Sequence, residues 1–131
     1  ELETALPDAE MVVWNSEHPD EMKEHASHAD IGLIIADHAV SITGSLVTMS
    51  APGKGRTVSL LPTVLMAFVP ASVVKSKLGE VMSGIQSIGF DNMPAGIHFI
   101  SGPSRSADIE NDLTIGVHGP GIVFALIVDG E

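Results

Sequence analysis

The apolar residues of this chain fall in short, branched runs, each closed by glycine, proline or small polar residues. They read "MVVW" at 11–14, "IGLIIADHAVSI" across 31–42, "SLVTMS" at 45–50, a run at 63–69, "GIHFIS" at 96–101, "TIGV" at 114–117 and "IVFALIV" at 122–128. Short runs rich in Val and Ile between turn residues are strand signals, because branched side chains suit a pleated surface and Gly or Pro ends the ladder. About seven short strands are therefore expected. Gly44 separates two of them and predicts a hairpin or sharp corner at 43–44. The connector "HGPG" at 118–121 is too short for a crossover, so 114–117 and 122–128 are expected to pair antiparallel.

Helical periodicity lies between these runs. In 17–30, Pro19, Asp20 and Glu21 stand at the start, where a missing N–H is harmless and the helix dipole favours acids. Met22, Ala26 and Ala29 follow at i, i+4 and i+7. A second helix is predicted by Val74, Leu78, Val81, Ile85 and Ile88, with Ser72 placed to cap it and Gly89 to end it. "SADIENDL" reads as a short helix or helical turn, and Trp14 as a core residue. The order mixes βαβ units with hairpins. The expected fold class is α/β: a mixed, mostly parallel sheet with flanking helices and at least one antiparallel hairpin.

Composition narrows the function classes. The 131 residues are 44% hydrophobic and 18% charged, enough for one domain with a real core. A net charge of −11 disfavours nucleic acid held on a basic face. Zero Cys excludes disulfides, Cys-ligated zinc and an iron–sulfur cluster held by this chain, and suits a reducing cytoplasm. The longest apolar run, Val64 to Val69, is far too short for a membrane helix, so no membrane partner is expected. No signal peptide is visible; the first residue is Glu1 rather than Met, and the sequence is read as a fragment.

Positive charge is scarce, so its placement is informative. Both arginines, Arg56 and Arg105, stand in Gly/Ser-rich stretches. In "SGPSRSADIE" a strand ends at Ser101, a Gly-Pro turn follows, and a helix is expected from Ser104 or Ser106. Gly102 permits close backbone approach, Ser104 and Ser106 offer hydroxyls, and Arg105 offers a planar fork for carboxylate or phosphate. Such a cradle suits an anion; the competing reading pairs Arg105 with Asp108 at i+3, worth about 0.2–0.5 kcal/mol. "GKGR" at 53–56 lacks the Walker A spacing and reads as a solvated basic loop. His118 ends a strand before a tight turn, satisfying backbone there or moving a proton. His25, His28 and Asp30 read as a solvated face rather than a metal site. No Ser-His-Asp spacing or carboxylate pair stands out.

Taken together, "ADIGLIIADHAVSITGSLVTMS", "GRTVSLLP" and "ISGPSRSADIENDLTIGVHGP" resemble the LUD domain of the lactate utilization protein C family, from about residue 29 to residue 128. The resemblance implies a ribose-phosphate isomerase/CoA-transferase-like fold, with 1–131 a single domain lacking the longer N-terminus usual in the family. It implies a role in oxidising L-lactate to pyruvate beside iron–sulfur oxidoreductase subunits, with no cofactor in this chain and the clusters held by those partners. Homo-oligomerisation stays open. The ligand-binding residues it implies are Thr43, Gly44, Arg56, Gly102, Ser104, Arg105, His118 and Gly119, around a small anionic ligand. Two positions depart from the family pattern. Ser41-Ile42-Thr43-Gly44-Ser45 stands where alanine-glutamate-threonine-glycine-threonine is common, and His38 stands where an aromatic is usual. Ile42 cannot attack, ionise or accept a proton, which disfavours covalent CoA transfer at that position. The resemblance thus implies an accessory or substrate-binding subunit; the alternative is an isomerase or CoA-transferase-like enzyme for a phosphorylated or CoA-linked substrate.

Overall fold

The computed structural model describes residues 7–15, 17–51, 57–103, 105–107, 113–115 and 119–129. In chain order the elements are α1 (Pro19–His28), β1 (Ile31–Ile35), β2 (His38–Val40), β3 (Ser45–Met49), α2 (Thr57–Leu60), β4 (Val64–Pro70), β5 (Val74–Lys75), α3 (Leu78–Gln86), β6 (Ile97–Ile100), β7 (Arg105–Ala107), β8 (Leu113–Ile115) and β9 (Ile122–Val128). Single 3-10 turns occupy Ala71–Val73 and Phe90–Asn92.

The mixed α/β expectation holds, with the strands divided among three sheets. One is wholly parallel, in the order β1-β4-β9; the second is mixed, in the order β5-β2-β3-β6; β7 and β8 form a small antiparallel pair. The expected hairpin is present: β2 and β3 pair antiparallel across a turn at 41–44 that needs Gly44 at φ 65°.

Two apolar clusters hold the layers. Ala36, Ala39, Leu46, Ala67 and Val69 join the mixed sheet to one face of the parallel sheet, with Ile34, Val74, Ile100 and Val123 packed around them. Val40, Val47, Val81 and Ile85 seat α3 on the other face of the mixed sheet. Helix α2 packs on β1, where Gly32 leaves room for the Val58 carbonyl and the Pro62 ring, and α1 packs on α2. The second face of the parallel sheet carries the rows Ile31–Val64–Ile122, Leu33–Met66–Phe124 and Ile35–Phe68–Leu126. Their outer members are exposed.

Several local expectations change. Residues 11–14 form no strand; Val13 is 82% exposed and Trp14 only half-buried. Helix α3 starts at Leu78 rather than directly after a Ser72 cap, because Val74 and Lys75 pair with Ala39 and Val40 of β2. A β-branched residue fits a strand edge better than a first helical turn. Strand β9 lies parallel to β4 along its whole length, while β8 takes β7 as its antiparallel partner. Among the described residues, β8 and β9 therefore do not pair with each other as expected. Arg105–Ala107 are extended rather than the start of a helix, which removes the helix N-terminus from the proposed cradle. Residues 108–112, with Asp108, lie outside the described residues.

Candidate functional site

The antiparallel register of β3 with β6 sets Leu46 opposite Ile100. One step further, Ser45 meets Ser101, with their hydroxyl oxygens 2.6 Å apart. Thr43 Oγ1 lies 2.8 Å from Ser45 Oγ, so three hydroxyls form one hydrogen-bonded chain. Three hydroxyl protons serve two bonds, and the third is left for a neighbour outside the chain. Ser45 is buried, which fixes the geometry, whereas Thr43 and Ser101 are exposed.

Glycines flank both ends. Gly44 at φ 65° and Gly102 at φ 102° take conformations that side chains disfavour, and nothing lies within 4 Å of where a Cβ would stand on either. Both turns thus leave backbone open beside the hydroxyls. Lys75 lies in the same cross-strand row: it pairs with Val40, which pairs with Ser45. Directly opposed residues share a sheet face, so Lys75 and Ser45 stand two strand spacings apart, roughly 10 Å at the backbone. Helix α3 begins on this same face just after β5 and has no side-chain cap at Lys77. Its first N–H groups add positive potential, opposed in part by Glu80, which accepts a 2.9 Å hydrogen bond from Ser76 Oγ. The hydroxyl ledge and Lys75 thus belong to one face of the mixed sheet.

Of the residues implied by the sequence resemblance, the structure brings together Thr43, Gly44 and Gly102. Arg105 follows three residues after Gly102 as the first residue of β7; its side chain lies outside the described set. Arg56, Ser104 and His118 also lie outside it. Gly119 is half-buried at the amino-terminal end of the parallel sheet, where Gly121 N–H donates to the Thr63 carbonyl at 2.9 Å. It therefore lies beside a different sheet from the one that Thr43 and Gly102 flank. Sequence reasoning missed Ser45, Ser101 and Lys75; the signal for the serines was their position beside the turn glycines. His25 Nε2 stands 3.7 Å from Glu21 on exposed helix surface. Among the described residues no group of three His, Asp or Glu could hold a metal, and no helix is long and apolar enough to cross a membrane.

The LUD domain model matches residues 3–128, nearly the whole chain. The chain belongs to the LUD domain family. This LUD domain is 40% identical over 121 residues to lactate utilization protein C of Halalkalibacterium halodurans, covering 91% of the chain and 53% of that relative. It is 41% identical over 117 residues to lactate utilization protein C of an Exiguobacterium species, covering 88% and 51%. The chain thus spans about half the length of the curated relatives it matches. A solved DUF162 family protein from Deinococcus radiodurans shares the fold at a TM-score of 0.60 and 22% identity, covering 82% of this chain and 58% of that one.

Within this LUD domain, Ile42 sits at the hairpin tip, 75% exposed, beside the hydroxyl ledge. A carboxylate there would face the same open turn; an isoleucine offers only apolar surface. A separate open depression of about 520 Å³ lies at the opposite end of the mixed sheet, lined by Asp37, Met49, Ser50, Ala51, Ile88, Asn92 and Pro94. Its lining is mainly apolar, and Asp37 is engaged there in holding β3, with Oδ2 accepting from Met49 N–H at 2.7 Å. The ledge carries the richer set of hydroxyl donors.

Proposed function

We propose that this chain serves lactate utilisation as an accessory, substrate-binding subunit, taking a small carboxylate on the Thr43–Ser45–Ser101 ledge. The supporting observation is the three-hydroxyl chain between two open glycine turns, in a sequence 40% identical to lactate utilization protein C over 91% of its length. One carboxylate oxygen would accept from the free hydroxyl proton, and Lys75 would balance the charge. Arg105, three residues beyond Gly102, is the natural second cation. Oxidation itself would fall to iron–sulfur oxidoreductase partners in the cytoplasm, because zero Cys gives this chain no thiolate ligands for a cluster. A covalent CoA-transfer role fits less well, since Ile42 supplies no nucleophile beside the ledge.

Calorimetric titration with L-lactate, pyruvate, inorganic phosphate and a CoA thioester tests this reading. Saturable binding of the two carboxylates, with no lactate oxidation by the isolated chain, is the expected result. Turnover of lactate by the chain alone, or binding confined to the CoA thioester, would sink it.

A further inference from the structure

We propose that the depression at the far end of the mixed sheet binds a small organic cation, an alkylammonium with a short apolar body. It lies away from the hydroxyl ledge, and the proposal does not depend on the reading of that ledge. Its volume of about 520 Å³ falls within the ~300–1,000 Å³ of small-molecule sites. Three elements end there. Asp37 follows β1 by two residues, Met49 closes β3, and Ile88 stands two residues past the end of α3. The carboxyl end of a parallel strand is the usual ligand side of an α/β sheet.

Electrostatics select the sign of the ligand. Among the described residues, the lining holds no Lys or Arg, and Asp37 is its one ionisable side chain. Helix α3 brings its carboxyl end to the rim with no basic residue in its last turn, so nothing there offsets the negative end of the dipole. The net charge of −11 adds to the same sign, and a carboxylate or phosphate ligand would meet like charge. Asp37 Oδ2 accepts from Met49 N–H at 2.7 Å, which fixes the carboxylate without cancelling its charge. Ser50 and Asn92 add hydroxyl and amide oxygens as acceptors, while Met49, Ile88 and Pro94 form apolar walls. Phe90 adds an aromatic ring. It stands between Ile88 and Asn92 on the 3-10 turn that forms one wall, and at 94% exposure it takes no part in the core. That turn follows Gly89 at φ 87° and is held by 3.3 Å bonds from Asn92 and Met93 N–H to the Gly89 and Phe90 carbonyls. A carboxylate, a helix carboxyl end and an aromatic ring beside apolar walls suit an ammonium group on an apolar stem.

Amide chemical-shift titration of the whole chain tests this with three probes of one shape: n-butylammonium, neutral 1-butanol and anionic butyrate. Butylammonium should give saturable shifts at the Met49, Ser50, Ile88 and Asn92 amides, with an affinity about tenfold or more above that of 1-butanol. Butyrate should give none. Asp37→Asn removes the charge but keeps an oxygen to accept from Met49 N–H, and should weaken butylammonium binding about tenfold. Phe90→Ala should weaken it about three- to fivefold. It replaces an exposed side chain, so it decides the question if Asp37→Asn fails to fold. Absence of saturable butylammonium shifts at these amides overturns the proposal. Equal affinity for 1-butanol, which would make the depression a site for neutral ligands, overturns it too, as does preference for butyrate. So does a butylammonium affinity in Phe90→Ala equal to the parent's.

Discussion

Gly32→Ala should unfold this domain more readily than any other single methyl addition at a described glycine. Gly32 lies in β1 beneath α2, and a Cβ there would run into the carbonyl oxygen of Val58 and stand 3.2 Å from its carbonyl carbon and 3.0 Å from Pro62 Cγ. Backbone and a proline ring cannot rotate aside as a flexible side chain would, so α2 must lift from the sheet. Overpacking of a tight site costs about 1–3 kcal/mol, and backbone contact places this case near the upper end, about 3 kcal/mol. For a domain of this size that is a fall in Tm of about 10 °C. Thermal melts by far-ultraviolet dichroism measure it, and urea titration should show a lower midpoint at unchanged slope. The paired control is Gly79→Ala in α3, where nothing lies within 4 Å; it should hold stability or gain about 0.5–1 kcal/mol. A Gly32→Ala protein melting within about 2 °C of the parent would refute the packing argument.

Other substitutions probe the frame of the site. Leu65→Ala removes a side chain with 0% exposure from the central parallel strand and should cost about 2–5 kcal/mol, read by urea unfolding. Gly44→Ala forces a side chain into φ 65° at the hairpin turn and should cost about 1–2 kcal/mol, while Gly44→Asn should lose less; thermal melts rank the two. Asp37→Ala strips the carboxylate that accepts from Met49 N–H and should cost about 1.5–3 kcal/mol, with faster amide exchange at Met49.

Local signals carried much of the fold. Gly44 between two strand-like runs marked the β2–β3 turn because few other residues accept its backbone conformation. The first helix was legible from Pro19 and the acids after it. Periodicity misled at Val74, whose spacing from Leu78 and Val81 satisfies a helical stripe while its actual neighbour is Ala39 on β2. The antiparallel pairing expected across 118–121 lost to a seven-residue parallel slot beside β4, a competition between distant strands that loop length cannot weigh. The candidate site shows the same division. Thr43, Gly44 and Gly102 were visible as turn residues, but Ser45 and Ser101 are 56 positions apart and meet only through the β3–β6 register. Lys75 was hidden because it was read as part of a helix.

The most direct test of the account is the affinity of L-lactate for the parent chain and for Ser45→Ala, measured by calorimetry on folded protein. Removing the central hydroxyl breaks both bonds of the chain, and the account predicts binding weakened about tenfold, the loss of roughly one good hydrogen bond. Equal lactate affinity in the two proteins, or no binding by the parent, would contradict it.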